Sequence, residues 1–496
     1  MKYISTRAID FHSTFSFSNI LLQGLAPDGG LFMPQIYPKI TLAQLIHFRK
    51  LNYAQLAAEI LSLFCDDIPR HIIDTITEKT YNAKRFAYTR YTENAQEITP
   101  LSYLGSQQNA PLYLLALSNG PTLAFKDIAM QLLGYLFEYI LDKQKQKLNI
   151  VGATSGDTGS AAAYAMLDKK NMQLFMLSPQ NRMSAFQQAQ MYSLNYPHIY
   201  NLAIEGVFDD CQDCIKTIFQ KTAFKEKHHL GAVNSINWGR LVAQIVYYFK
   251  GYLSAISDAD WQQCIQNNRI ENLPKVSFTV PSGNFGNACA GHIARMMGLP
   301  IDKIIVATNE NDVLDEFFKT GIYRPRSAEK TWLTSSPSMD ISKASNLERF
   351  LFDLFQRDSQ AFKDALAAYK KTGVIDCKGY FDKGEFNTFG IVSGSSCHQA
   401  RIETIRYAKQ NYNRILDPHT ANGLNVAKLY LKPEQAMIIL ETAQACKFPN
   451  IIREAIGEMP SRPKALENIE DLPQSVYYLP ADAKLIEQFI AKHCHD

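Results

Sequence analysis

The sequence predicts an α/β fold: two domains built on parallel sheets, preceded by a mostly helical N-terminal region. Three observations carry this. Short β-rich runs alternate with helical patterns between residues 111 and 308, as in parallel sheets covered by helices on both faces. The first 90 residues carry apolar helical spacing at 42–65 and 70–83 without clear strands. The chain has 496 residues, and a single core stops growing at roughly 250–300. The expected boundaries are 1–90 for the helical region, 91–390 for an α/β core with its smaller domain at roughly 120–240, and 391–496 for a C-terminal segment completing the core.

Taken in order, PLYLLAL (111–117) reads as a strand. KDIAMQLLGYLFEYIL (126–141) reads as a helix, with Ile128, Leu132, Leu136 and Ile140 four residues apart on one face. LNIVGA (148–153) is strand-like, SAAAYAML (160–167) helical and QLFML (173–177) a strand. KVSFTV (275–280) and KIIVAT (303–308) repeat the strand pattern around the helical NACAGHIARMMG. The stretch from about 309 to 360 is irregular and polar and reads as an insertion. The tail from 396 returns to helices with a few short strands.

Two strand–turn–helix junctions suit anions. VGATSGDTGSAAA (151–163) places Gly156 and Gly159 among the hydroxyls of Thr154, Ser155 and Thr158. FTVPSGNFGNACAG (278–291) places Gly283, Asn284, Phe285, Gly286 and Asn287 before a small-residue helix. Main-chain N–H groups and the positive end of the helix dipole face outward at such a junction. Glycine removes the Cβ that would keep a ligand off the backbone. Neither turn has the spacing of GxxxxGK[ST] or of GxGxxG. The first also reads as an ordinary turn capped by Asp157 or Thr158.

Lys126 sits between a Gly-Pro turn and an apolar helix, after Leu123, Ala124 and Phe125 and before Asp127. Burial among such neighbours and the start of a helix both disfavour the ammonium form and favour a nucleophilic amine. One such lysine with two anion-binding turns points to a phosphorylated aldehyde cofactor held covalently. Pyridoxal phosphate fits that description.

The bulk properties restrict the alternatives. A net charge of +3 from 51 basic and 48 acidic residues gives no electrostatic case for nucleic acid or an anionic membrane as main partner. No run approaches the ~18 apolar residues of a membrane helix. The N-terminus, broken by polar residues, lacks a signal peptide's apolar segment, so a cytoplasmic protein is expected, as a monomer or homodimer. Of nine cysteines only Cys211 and Cys214 form a CxxC pair, with no second pair or histidine pair to complete a metal site. They are expected to be packed thiols, with no metal bound.

These residues together resemble the threonine synthase family, pyridoxal-phosphate enzymes of the tryptophan-synthase-β type (fold type II). The resemblance runs through MKYISTR (1–7), GLAPDGGLFMP (24–34), GPTLAFKD (120–127), TSGDTGSAA (154–162) and NSINWGRLVAQIVYYF (234–249). It continues through VPSGNFGNACAG (280–291), SPSMDISKASNLER (336–349), DPHTANG (417–423) and TAQACKF (442–448). It implies that Lys126 forms the Schiff base and acts as base. Gly283, Asn284, Phe285, Gly286 and Asn287 would cradle the cofactor phosphate, Asp157 or its neighbours would lie near the pyridine 3-hydroxyl, and Thr442 would bond the pyridine nitrogen. Thr154, Ser155, Thr158, Asn237 and Arg240 would hold the substrate, O-phospho-L-homoserine, which reacts with water to give L-threonine and phosphate. The alternatives are a phospho-lyase giving a 2-keto acid and ammonia, and a non-catalytic binding protein of the same fold. His419 reads as stabilising its turn. Two departures stand out: Ser118-Asn119 where the family usually has Phe-His, and Gln444-Ala445-Cys446 where it has His-Pro-Ala.

Overall fold

The computed structural model describes residues 1–9, 14–91 and 94–494. Its centre is a six-stranded sheet. The strands run in the spatial order Ile391–Ser395, Ile301–Thr308, Val276–Pro281, Met437–Glu441, Ala110–Ala116, Leu101–Gln107. All pair in parallel except the last two, which form an antiparallel hairpin at the edge. The second sheet has five parallel strands in the order Tyr477–Pro480, Ile199–Glu205, Met172–Pro179, Leu148–Ala153, Leu230–Ala232. Val276–Pro281 and Met172–Pro179 are buried along their whole length, as strands covered on both faces must be.

Two strands from the C-terminal part interleave with earlier ones. Met437–Glu441 lies between Val276–Pro281 and Ala110–Ala116, with Glu441 level with Ala116. Tyr477–Pro480 adds an edge to the smaller sheet beside Ile199–Glu205. The segments that follow the inner strands of the large sheet, 117–126, 282–286 and 442–448, therefore leave it at one end. That end is the carboxyl end, where ligands bind in open parallel sheets. The turn at 154–159 leaves the smaller sheet at its own carboxyl end.

The N-terminal region holds four helices, Phe17–Gln23, Leu42–Phe48, Tyr53–Ser62 and Arg70–Thr80. The apolar run 42–65 is two helices because Asn52 starts the second with a capping box to Gln55, which ends the first. The region also contains two short antiparallel strands, Tyr3–Ser5 and Phe32–Pro34, contrary to the expectation of none. Three-residue strands are too short to show a period of two. Tyr3 packs edge-on against Trp238 at 5.8 Å, so these strands share a core with the long buried helix Trp238–Ala255.

The polar stretch 309–360 is not a loose insertion. It contains the helices Val313–Thr320 and Leu347–Leu354, and Phe317, Phe350 and Arg349 are fully buried. Its polar residues bond to one another: the Asn309 and Asn311 side-chain amides and the Thr334 hydroxyl all donate to Asp340. Such a network reads in sequence like a solvated loop, yet here it is interior.

Candidate active site

Lys126 opens the helix Lys126–Gln144. The loop before it is clamped to the C-terminal segment. Phe125 N–H donates to Thr442 O at 2.9 Å, Gln444 N–H donates to Leu123 O at 3.0 Å, and Ala124 and Ala443 form an antiparallel bridge. Leu123 adopts φ +59°, an uncommon conformation for a branched side chain. Asp127, fully buried, accepts from Thr122 N–H (2.8 Å) and from the Thr122 hydroxyl (2.7 Å). Burial pushes its carboxyl up to about 6.

The Lys126 side chain is 16% exposed, and its Nζ lies 3.6 Å from Asp157 Oδ2. Burial lowers its pKa. Asp157 opposes that fall, while the nearby cations Arg240 and Lys447 add to it. Burial alone would raise the Asp157 carboxyl, but Lys447 and Lys126 together hold it far below the usual carboxylate range. Asp157 also accepts from Gln187 Nε2 at 3.2 Å and from the Ser338 hydroxyl at 3.1 Å. The neighbouring Ser338 N–H donates to His419 Nε2 at 3.1 Å, which leaves His419 Nδ1 to donate to Asp417 at 2.8 Å. The Asp417 carboxylate also caps the helix Pro418–Ala427. His419 thus does more than brace its own turn: it props the segment that reaches Asp157.

The turn after Val276–Pro281 is built differently. Gly286 starts its helix, and no acidic residue occupies the first turn. The Ser282 hydroxyl and Asn287 Nδ2 are buried and have no partner among the described residues, whereas Asn287 Oδ1 is fixed by the Tyr247 (2.6 Å) and Tyr248 (3.0 Å) hydroxyls. A Cβ on Gly283 would stand 3.1 Å from Ser338 O and 3.2 Å from Met339 Cα. Arg240, 5% exposed, likewise has no partner for Nε and Nη1, and burial lowers its pKa to about 10. Buried polar atoms are normally bonded, and an unanswered guanidinium beside a second cation calls for an anion. These residues fit a phosphorylated, aldehyde-bearing cofactor and an anionic substrate.

Three of the expected site residues have partners elsewhere in the fold. Thr154 Oγ1 is fully engaged in its own turn: it donates to Gly156 O and accepts from Gly156 and Gly159 N–H. Asn237 caps the helix Trp238–Ala255 by accepting from Gly239 N–H, and its Nδ2 donates to Leu21 O. Both are interior; the Thr154 hydroxyl has no donor or acceptor left for substrate, and Asn237 spends one N–H and one lone pair on its own fold. The Phe285 ring points into the core, against Phe318 and Phe350; only its backbone, at φ +63°, is left to shape the turn. Asn284 shapes it too, its Oδ1 accepting from the Ser345 hydroxyl at 3.0 Å. Ser155 is exposed and Thr158 half-buried, and neither side chain has a partner among the described residues. Thr442 is 6% exposed; its backbone is held at both N and O, and its hydroxyl has no described partner.

The two departures meet in space. Gln444 Nε2 donates to Ser118 O (3.0 Å) and Tyr88 O (2.8 Å), and the Ser118 hydroxyl donates to Glu441. Both amide atoms of the fully buried Asn119 lack a described partner. Cys211 and Cys214 are buried in an apolar cluster.

Comparison with known proteins settles the family. Residues 2–81 match the threonine synthase N terminus, 91–372 the pyridoxal-phosphate dependent enzymes and 420–490 the threonine synthase C-terminal region. The chain is 53% identical to threonine synthase of Methylobacillus glycogenes, covering 99% of this chain and all of that one. The chain belongs to the threonine synthase family. It is 48% identical to the Corynebacterium glutamicum threonine synthase over 99% of its length and 98% of that protein. The pyridoxal-phosphate-bound threonine synthase of Brucella melitensis superposes over the full length of both chains with a TM-score of 0.88 at 36% identity. The yeast threonine synthase follows at 0.86 and 34%, covering 99% of this chain and 98% of that one. The fold-type II architecture and pyridoxal phosphate dependence expected from sequence both stand. No helix among the described residues is long and apolar enough to cross a membrane.

Proposed function

We propose that Lys126 carries pyridoxal phosphate in this threonine synthase and moves the protons in converting O-phospho-L-homoserine and water to L-threonine and phosphate. One observation carries the assignment: the Lys126 amine, partly buried, faces Asp157 at 3.6 Å beside an unpartnered guanidinium, Arg240, where the strands of the large sheet end.

Bound pyridoxal phosphate supplies an aldehyde for amines and a conjugated ring that takes up electron density from Cα. The chain's own residues do the rest. The turn Gly283–Asn287, with Ser282, holds the cofactor phosphate through main-chain N–H groups and the free Asn287 amide. The Thr442 hydroxyl bonds the ring nitrogen without imposing a charge on it. Burial favours the free amine of Lys126, and Asp157 aims it, so it takes the substrate's Cα proton and later returns protons along the chain of reacting carbons. Arg240, with Nε and Nη1 unpartnered among the described residues, answers the departing phosphate's charge. Ser155 and Thr158, free of other partners, hold the substrate carboxylate at the start of the helix Asp157–Met166.

Borohydride reduction of the purified yellow protein should fix the cofactor on the peptide containing Lys126; labelling elsewhere would sink the assignment. Lys126→Ala should lose turnover by several orders of magnitude, since cofactor link and base vanish together. Product identification by NMR from O-phosphohomoserine should give threonine. Accumulation of 2-oxobutyrate would instead make the enzyme a phospho-lyase.

A further inference from the structure

Lys447 has no part in the roles assigned above. It is fully buried, with 0% of its side chain exposed, a state lysine almost never reaches without partners. Its ammonium has three donors and three acceptors: Thr122 O at 2.6 Å, Gln190 Oε1 at 2.9 Å and Asp157 Oδ1 at 3.0 Å. Every donor is matched, so the ammonium is held in place on three sides. Asp157 lies between two lysines, with Oδ1 toward Lys447 and Oδ2 toward Lys126.

We propose that Lys447 is a positioning residue for the reaction at Lys126: it pins Asp157 Oδ1, so that Oδ2 turns to the Lys126 amine, and it takes up part of the carboxylate's charge. This rests on the assignment of Lys126 as the cofactor lysine. An aspartate facing one lysine alone would hold the proton on that amine. A second lysine on the opposite oxygen weakens the hold while preserving the geometry. The groups facing Lys126 are Asp157 from the first glycine turn, Arg240 from the helix Trp238–Ala255, and Lys447 from the C-terminal segment. Asp157 itself is further faced by His419, Gln187 and Ser338 and by the buried carboxyl of Asp127, which Lys447 also faces. Arg240, the other cation facing Lys126, remains when Lys447 is replaced.

The sign follows. Removing a cation favours the protonated form of a nearby nitrogen, whether it is the free amine or the cofactor-linked nitrogen of Lys126. In the holoenzyme, Lys447→Met should move the pH midpoint of the cofactor absorbance change upward by about one unit or more, with kcat falling more than KM rises. Lys447→Arg should restore most of the shift, because the charge returns. Lys447→Gln, which keeps a donor for Thr122 O but no charge, gives the same reading if the methionine variant yields little folded protein. A midpoint unchanged in both uncharged variants, with lowered thermal stability alone, overturns the proposal and leaves Lys447 a structural strut. Borohydride labelling of the same samples separates the two readings: cofactor on another lysine overturns the Lys126 assignment and this proposal together, whereas cofactor on Lys126 with an unmoved midpoint overturns this proposal alone.

Discussion

The two glycine-rich turns look alike in sequence and differ in use. Each follows a buried parallel strand, each opens a helix, and each combines glycine with small polar residues. In the turn at 154–159 the anion is built in: Asp157 occupies the first turn of its helix, clamped by Lys447 and Lys126, and the Thr154 hydroxyl satisfies the N–H groups of Gly156 and Gly159. In the turn at 282–287 no acid is supplied, and Ser282 Oγ and Asn287 Nδ2 have no partner among the described residues. A helix N-terminus attracts negative charge. One turn supplies its own carboxylate, held between two lysines, beside the hydroxyls of Ser155 and Thr158; the other supplies none and leaves the demand to a ligand's phosphate.

Breaking the first turn should have the largest effect. Asp157→Asn leaves Lys447 and Lys126 buried without their carboxylate, and removing one partner of a buried pair costs about 3–5 kcal/mol. The pH dependence identifies the cause. The native carboxyl sits far below its unfolded value, so its contribution is complete above about pH 4 and is lost as pH falls below that. Denaturant midpoints should therefore drop more steeply between pH 5 and 2 in the wild type than in the variant. Asp127 acts in the opposite sense, since its raised value of about 6, to which the Asp157 charge contributes, makes its ionisation a cost as pH rises through 6; losing the Asp157 charge lowers that value, so the comparison is read below pH 4. Equal acid slopes in the two would show that Asp157 is not the clamped group.

Breaking the second turn should cost cofactor more than stability. Gly286→Val puts a branched side chain where a Cβ already comes within 3.2 Å of Asn346 Nδ2, on the backbone that must approach the phosphate. Cofactor dissociation constants should rise about 10- to 100-fold, or about 1.4–2.8 kcal/mol, with the thermal midpoint of the cofactor-free protein little changed. Affinity like that of the wild type would mean the phosphate is held elsewhere.

The contrast between the turns also marks where sequence stops being informative. Lys126 was legible because an amine at the start of an apolar helix is out of place, and the parallel strands were legible from their alternation with helices. Lys447, Ser338 and Gln187 were not, because each reaches Asp157 from a distant segment and nothing in its own neighbourhood announces the contact. In TAQACKF nothing beside Lys447 sets it apart from an ordinary charge. Thr154, Asn237 and Phe285 illustrate the converse. A hydroxyl, an amide or a ring next to a glycine turn reads the same whether it faces a ligand, caps a helix or fills the core. Only the partner decides, and the partners here are Gly159 N–H, Leu21 O and Phe318.

The smallest expected effect tests that last distinction at Thr154. Thr154→Val keeps the branched shape and removes one hydroxyl. If the hydroxyl serves its own turn, two main-chain N–H groups lose their acceptor, and the enzyme should lose about 1–2 kcal/mol of stability, as when a helix cap is removed. KM for O-phosphohomoserine should then stay within a few-fold, because Asp157 still sets the charge of the site. Had the hydroxyl bound substrate instead, its removal would raise KM by about tenfold or more, the cost of a hydrogen bond to a charged group, while stability barely moved. Ser155→Ala should give that second pattern, since Ser155 is exposed and without a described partner. The two neighbours thus make an internal control: one substitution read in the unfolding midpoint, the other in KM. Exchange of the two patterns would return Thr154 to the substrate and leave Ser155 as surface.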